Sequence, residues 1–443
     1  AGQQGQQRAG QRLASASHAG PVSVCRPASA RHAASGAPAP AAARQGAEGE
    51  ARLISFYLGT IPINAAKDGA YQLASYQSGM ILTYIDYQTQ TRTVLCSRPE
   101  CTHQDDTCAA WFQQVAGYAF ADDESGHLFV MTSADDRDET PQILWKMDLN
   151  GQNRTKFITM KASDSLGGEF ASDGQNLYFT IQSVAQDGQK FNPFSNDLVK
   201  TLCEVNIDSG KTKTLLSFSS SSFLAGAFDR KLVLLRNQWD EKGNSQQSYS
   251  VYDLDTAKEQ QVFNYTYTGG KDYITKVKDA ELYFLQPTQG DFADVKKVDL
   301  RTGQKTTLYE GLPYYGSDIS YISNIEDEKI VIEITNTNNG KGPIDHHTYV
   351  VDEATGELGE LKPDFASGDP PLIPGIVGVA NSHQYLVDSG YVERMTPFMN
   401  EDGTTDYAPV LGPQYTLIEK EDYWNSIPNF IAVKDNTMLG IEW

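Results

Sequence analysis

The apolar positions of this chain recur with period two in short runs, and no stretch keeps a helical period for more than about two turns. One phrase returns along the chain. An apolar strand-like run is followed, after a gap of variable length, by a second run that ends in Asp and a turn. The endings are YIDYQT at Tyr84–Thr89, KMDLNG at Lys146–Gly151, VNIDSG at Val205–Gly210, VYDLDT at Val251–Thr256, KVDLRTG at Lys297–Gly303 and VVDEATG at Val350–Gly356. The Asp residues read as equivalent are Asp86, Asp148, Asp208, Asp253, Asp299 and Asp352. Their partner runs are Met80–Leu82, Leu128–Met131, Leu177–Ile181, Leu232–Leu235, Leu282–Leu285 and Ile330–Ile334. One more short strand follows each Asp phrase, and an inner segment such as Gly117–Ala121 or Glu169–Ser172 precedes each hairpin. Asp, Asn and Gly between the runs suit tight turns, because they tolerate positive φ or bond their own backbone.

Four strands every 45–62 residues is the spacing of propeller blades, which run about 40–50 residues plus insertions. A lone four-stranded sheet cannot cover both of its faces, and radial stacking covers them all. A last, degenerate unit runs from Ile376, with strands near Tyr385–Val387, Tyr415–Glu419 and Phe430–Val433. The chain is therefore expected to be all-β: a β-propeller of seven four-stranded blades, A to D, over residues 56–443, after a disordered low-complexity tail at 1–55. Turns A–B and C–D read as short. The B–C connections read as long: Val184–Asn196, Gln238–Gln247, Gln286–Asp294, Thr335–Asp345 and Asp388–Gly412. Long loops gathered on one face of a rigid scaffold are where binding residues tend to sit. Phe191, Phe194, Trp239, Asp240, Phe292, Tyr391 and Arg394 are the candidate ligand contacts there. Aromatics beside carboxylates and amides suit a sugar or a peptide, although long loops also bury aromatics in small cores of their own.

Composition sharpens this picture at three points. Residues up to about Arg52 are Ala, Gln, Ser, Gly and Arg without Lys, too polar and simple to offset chain entropy by burial. They read as a tail or a misassigned start. Cys25 in PVSVC lacks the apolar stretch a lipoprotein signal needs. The net charge of −21 repels phosphate backbones, so nucleic acid is not expected as a partner. No apolar run reaches the roughly 18–20 residues of a membrane span. A glycan, a peptide or another surface protein is the expected partner, with the chain a monomer.

The segment Leu95–Phe112, LCSRPECTHQDDTCAAWF, holds Cys96, Cys101, His103 and Cys108 in the spacing C-x4-C-x-H-x4-C. Three thiolates and one imidazole complete a tetrahedral zinc site, and sulfur ligands select zinc or iron over magnesium or calcium. A disulfide between two of the three thiols is the alternative, favoured by export. Inert buried thiols are the third reading. Cys203, in a strand, reads as core. The cofactor expectation is none beyond a structural zinc.

The pattern C-x-x-P-x-C-x-H-x4-C-x-A with an aromatic after it, here Cys96 to Trp111 behind a YIDY strand, resembles a family of secreted or lipoprotein β-propellers of Gram-positive gut anaerobes. The ending YTLIEKEDYWNSIPNF, Tyr415–Phe430, resembles it too. The resemblance implies an exported propeller, at the cell surface or beyond it, related in architecture to TolB-like repeats. It carries no activity.

Catalytic signatures are missing. There is no G-x-S-x-G elbow and no H-E-x-x-H. D-x-x-T-G at Asp299–Gly303 and Asp352–Gly356 reads as turn chemistry. His346 and His347 are neighbours on a strand and point to opposite faces, which argues against joint ligation, alone or with His383. The acidic runs Asp135–Glu139 and Asn400–Asp406 lack calcium-loop spacing. The expected function is an exported non-catalytic binding or scaffold module. The alternative is a carbohydrate-active enzyme, lyase or hydrolase, on the same scaffold.

Overall fold

A computed structural model describes residues 49–437 except 57–62, 77–78, 114–116, 134–140, 185–197, 220–221, 240–244, 267–273, 315–318, 337–344, 363–372 and 400–404. The expected tail falls mostly on residues 1–48, outside the described residues. The strands form seven sheets, each with four consecutive antiparallel strands at its heart. Blade 1 is Ile63–Ala65, Gly69–Tyr76, Gly79–Asp86 and Thr91–Val94; blade 2 is Gly117–Asp122, His127–Thr132, Ile143–Asp148 and Thr155–Thr159. Blade 3 is Asp164–Ser172, Asn176–Val184, Leu198–Asn206 and Thr212–Ser219; blade 4 is Ser222–Phe228, Lys231–Trp239, Ser245–Asp253 and Lys258–Thr266. Blade 5 is Ile274–Lys278, Glu281–Pro287, Phe292–Asp299 and Lys305–Pro313; blade 6 is Ile319–Glu326, Lys329–Asn336, Asp345–Asp352 and Leu358–Leu361. Blade 7 is Gly375–Val379, Gln384–Met399, Thr405–Glu419 and Ile431–Ala432. The expected seven-bladed propeller is what the chain forms.

Seven apolar seams separate the blades, and that number shows that the ring is closed, because an open row of seven has six. Phe120 and Phe129 of blade 2 meet Phe170 and Phe179 of blade 3, with the rings of Phe120 and Phe170 stacked at 4.5 Å. Leu285 and Val295 meet Ile332 and Val351 between blades 5 and 6. The closing seam packs Leu386, Tyr415 and Leu417 of blade 7 on Ile63, Ile85 and Tyr87 of blade 1. B strands are apolar on both faces because each face belongs to a different seam, as in Leu232, Val233 and Leu234, all fully buried.

The Asp phrase has a definite job. Its carboxylate ends strand C and accepts amides of the C–D turn: Asp86 from Thr89 at 2.8 Å, Asp253 from Thr256 at 2.8 Å, Asp299 from Arg301 at 2.7 Å and Asp352 from Thr355 at 3.0 Å. In blade 3 the role belongs to Asn206, whose Oδ1 accepts the Ser209 amide at 2.9 Å, and not to Asp208. In blade 1, Met80–Leu82 and the YIDY phrase share the single strand Gly79–Asp86, and their partner is Gly69–Tyr76. In blade 7 the expected loop Asp388–Gly412 is a long hairpin, in which strands of 16 and 15 residues pair from Gln384↔Glu419 to Met399↔Thr405. The expected loop Gln286–Asp294 is also mostly strand, with a four-residue connection at Thr288–Asp291.

Three short strands lie outside the blade count: Trp111–Phe112, at the outer edge of blade 1, and two that join distant parts of the chain. Lys434–Asp435 leaves blade 7 and runs parallel to the outer strand of blade 1, Lys434 beside Thr91 and Asp435 beside Arg92. Asp435 pairs with the buried Arg92 guanidinium at 3.5 Å. This clasp ties the last blade to the first. Arg52–Phe56 pairs with the inner strand of blade 3, so it lies in the central channel.

Acid tests the turn chemistry. A hydrogen bond from Lys329 and then the Thr355 amide hold Asp352 down at about 2. Its contribution is complete above the ordinary Asp range near 4 and is lost as pH falls through about 2. Asp352→Asn keeps an acceptor for the turn amides and removes the charge. It is expected to flatten the fall of Tm between pH 4 and 2, and an unchanged acid limb would contradict this assignment.

Candidate metal centre

Strand D of blade 1 is interrupted. It runs Thr91–Val94, the chain then loops outward, and Trp111–Phe112 returns to pair with Met80 and Ile81 on the same strand C. The Leu82 amide reaches the Ala110 carbonyl at 2.8 Å, which closes the base of the excursion. The Cys/His segment is therefore a loop thrown out from the outer edge of blade 1. It is an excursion within strand D, because that strand resumes after it.

Successive tight turns fold this loop on itself. The Cys101 amide donates to the Arg98 carbonyl at 3.2 Å, and the Cys108 amide to the Asp105 carbonyl at 3.0 Å. Asp105 accepts the Thr107 amide at 3.0 Å. His103 takes a left-handed φ of 56°, uncommon for a residue with a Cβ, and this turns its ring inward. The sulfurs of Cys96, Cys101 and Cys108 and a His103 ring nitrogen all lie within 4.8 Å of one another. His103 Nδ1 is 3.3 Å from Cys108 Sγ.

Those distances fit a metal. With Zn–S near 2.3 Å and Zn–N near 2.0 Å, a tetrahedral site has edges of roughly 3.5–3.8 Å. The thiols of Cys96, Cys101 and Cys108 are free. One S–S bond would use two donors and leave His103 facing a single thiol, whereas all four converge. Cys203 is core, as expected, fully buried among Phe170, Phe179 and Leu144.

The electrostatics of the group are uneven. Burial pushes the Cys108 thiol up to about 12. Partial burial opposes ionisation of Cys101, but the His103 amide, the neighbouring thiols and Arg98 outweigh it and hold Cys101 below the ordinary range. Arg98 Nη2 stands 3.0 Å from Cys101 Sγ. Partial burial and the Arg98 charge lower His103, which favours the neutral imidazole that ligates metals.

Blade 2 supplies the anchor for this loop. Arg154, just before strand D of that blade, donates to the carbonyls of Trp111, Ala109 (3.2 Å) and Asp106 (3.3 Å). Its guanidinium lies over the rings of Phe112 and Trp145 at 4.9 and 5.1 Å. Gly151 lies so close that a Cβ there would come within 2.6 Å of the Leu95 carbonyl. The centre thus bridges the outer edges of blades 1 and 2.

Four of the seven expected ligand contacts lie among the described residues. Phe191, Phe194 and Asp240 lie outside the described residues. The backbones of Trp239, Tyr391 and Arg394 belong to strands Lys231–Trp239 and Gln384–Met399 of blades 4 and 7. Phe292 opens strand C of blade 5 on the B–C face and is 48% exposed. His346 meets Thr335 Oγ1 at 2.8 Å and His347 meets Glu360 at 2.6 Å. His383 sits in the A–B turn of blade 7, at the other end of the blades, beside a cleft of about 440 Å³ lined by Ser382, Glu419 and Asp422. These histidines form no common site. The acidic run Asp135–Glu139 lies outside the described residues, and so does most of Asn400–Asp406.

Arg154→Ala is expected to cost about 2–4 kcal/mol, because three carbonyls lose a charged donor and two rings lose their cation. Arg154→Lys should recover only part of this, since an ammonium cannot fork to three acceptors. Urea unfolding of both variants checks it, and a wild-type midpoint for the Ala variant would contradict the anchoring role.

No protein-family model matches this chain, and no curated protein matches it. Among solved structures, an oligogalacturonate lyase from Vibrio parahaemolyticus aligns at 12% identity over 73% of this chain and 83% of its own, with a TM-score of 0.50. TolB from Acinetobacter baumannii aligns at 12% identity over 81% and 77%, with a TM-score of 0.32. An acylaminoacyl peptidase from Pyrococcus horikoshii aligns at 10% identity over 83% of this chain and 51% of its own, with a TM-score of 0.44. What this chain shares with the lyase is its fold, that of a β-propeller.

Proposed function

We propose that the protein is an exported, non-catalytic binding or scaffold module, monomeric, whose outer rim is fastened by a structural zinc ion on Cys96, Cys101, His103 and Cys108. The observation that supports it is the convergence of those four donors within 4.8 Å. Three thiolates and an imidazole fill a tetrahedral shell and leave no open position for a reacting water, which is the pattern of a structural rather than a catalytic site. Zinc bound there would supply a cross-link. The chain's own residues do the rest: Arg98 faces the Cys101 sulfur, and Arg154 holds the loop on blade 2.

The fastened ring would present its B–C face to a glycan, a peptide or another surface protein. The exposed Phe292 supports an aromatic contact there. Export and a place at the cell surface rest on the resemblance of the C-x-x-P-x-C-x-H-x4-C segment. A second reading, an enzyme acting on acidic polysaccharide, draws on the fold likeness to the oligogalacturonate lyase. It needs acid–base groups that converge on one face, and His346, His347 and His383 do not.

Two experiments decide between these readings. His103→Ala and chelation are each expected to release about one zinc per chain and lower Tm by at least about 5 °C. A zinc-free wild type with the same Tm would remove the structural metal. Glycan and peptide arrays, with product analysis on each hit, should show binding without turnover that weakens in Phe292→Ala. Cleavage of a bound uronate polymer would establish the enzyme instead.

A further inference from the structure

The strand Arg52–Phe56 is a fifth strand on a blade that is already complete. It runs antiparallel to the inner strand of blade 3, with Arg52 beside Ser172 and Phe56 beside Glu169. The inner strand descends toward its A–B turn, so the added strand climbs the channel from the turn face to the loop face. Gly49 stands at its entrance, where a Cβ would come within 2.4 Å of the Asp173 carbonyl. The groove that receives the strand has three kinds of contact. Arg52 pairs with Asp122 at 3.1 Å and with Glu124, both in or beside the A–B turn of blade 2. The Asp122 side chain is fully buried, and the Ser172 hydroxyl donates to it at 2.6 Å. Leu53 packs on the seam between blades 3 and 4, and Ile54 on the seam between blades 2 and 3. The Ala51 amide reaches the Asp229 carbonyl, and Asn64 Nδ2 donates to the Ile54 carbonyl at 3.0 Å.

The channel wall thus recognises a short extended peptide by its backbone edge, by a basic residue at the acidic end and by two apolar side chains that point opposite ways. Arg52, Leu53 and Ile54 are only part-buried, unlike the strand they lean on, where Phe170 and Ala171 are fully buried. Removing the segment would take the fully buried Ala51 from the seam between blades 3 and 4 and leave the other seams all their buried residues. We propose that the inner edge of blade 3, with Asp122, Glu124 and Ser172, is an acceptor site for an extended basic–apolar peptide strand, which the chain's own Ala51–Phe56 occupies as a displaceable plug of the channel. Strand addition to a sheet edge is an established mode of peptide recognition. The proposal is independent of the loop face and of the metal.

The test uses the full chain. Arg52→Glu with Leu53→Asp and Ile54→Asp weakens the plug, and the probe is a fluorescent peptide of residues 49–56, GEARLISF. The triple variant is expected to keep the wild-type circular dichroism and to bind the probe at least tenfold more tightly than wild type does. A probe carrying the same three substitutions should not bind. Hydrogen exchange of the wild type supplies a second reading: amides of 52–56 should exchange at least tenfold faster than those of Asn176–Val184. Equal probe binding by variant and wild type, an unfolded variant, or equal exchange protection would each overturn the proposal by showing the strand to be an integral part of the core.

Discussion

Everything in this molecule depends on the need of each small sheet to have both faces covered. A four-stranded sheet with residues such as Leu282, Tyr283, Phe284 and Leu285 in one run has no face to give to water. Each blade therefore takes half of its cover from the blade before and half from the blade after. The arrangement is cooperative because it is circular. Seam 7–1, with Leu386 and Tyr415 on Ile85 and Tyr87, closes the circle, and without it two faces would be left wet.

A ring held by its seams is weakest at its rim, where outer strands have one neighbour and unpaired edges. Two devices cover the rim of blade 1, where the chain begins its first blade and ends its last. Asp435 and Lys434 lie along the lower part of its outer strand. The Cys/His loop leaves the upper part and is pinned by Arg154 to blade 2. Both devices join blade 1 to a neighbour, one on each side. A metal there would act on the edge that the seams protect least, and the B–C face of the ring would stay free for partners.

Much of the architecture was legible in the sequence, for a physical reason that also explains the errors. B strands show as unbroken apolar runs, and the strand C carboxylate shows as a recurring Asp, so blades 2, 4, 5 and 6 could be placed. Blade 1 was misphased because both cues sit in one eight-residue strand. Blade 3 was off by two positions because an Asn amide oxygen accepts the turn amide as well as a carboxylate does. The blade 7 hairpin read as a loop because its extension is rich in Pro, Gly and charge, which mark turns when no partner strand is in view. The donor set of the centre was legible from residue type alone. Whether its sulfurs bond one another or face a common point depends on the left-handed turn at His103, and the anchoring by Arg154 spans 43 residues, so neither could be read from spacing. Arg52–Phe56 escaped notice because five residues next to an Ala- and Arg-rich stretch gain meaning only beside the inner edge of blade 3.

The claim that four side chains on the rim of blade 1 hold one metal ion is tested most directly by X-ray absorption on protein purified without oxygen. The account predicts about one zinc per chain, with three sulfur neighbours near 2.3 Å and one nitrogen near 2.0 Å. A shell of oxygen ligands, no stoichiometric metal, or a Cys96–Cys101 or Cys101–Cys108 disulfide found by mass mapping would contradict it.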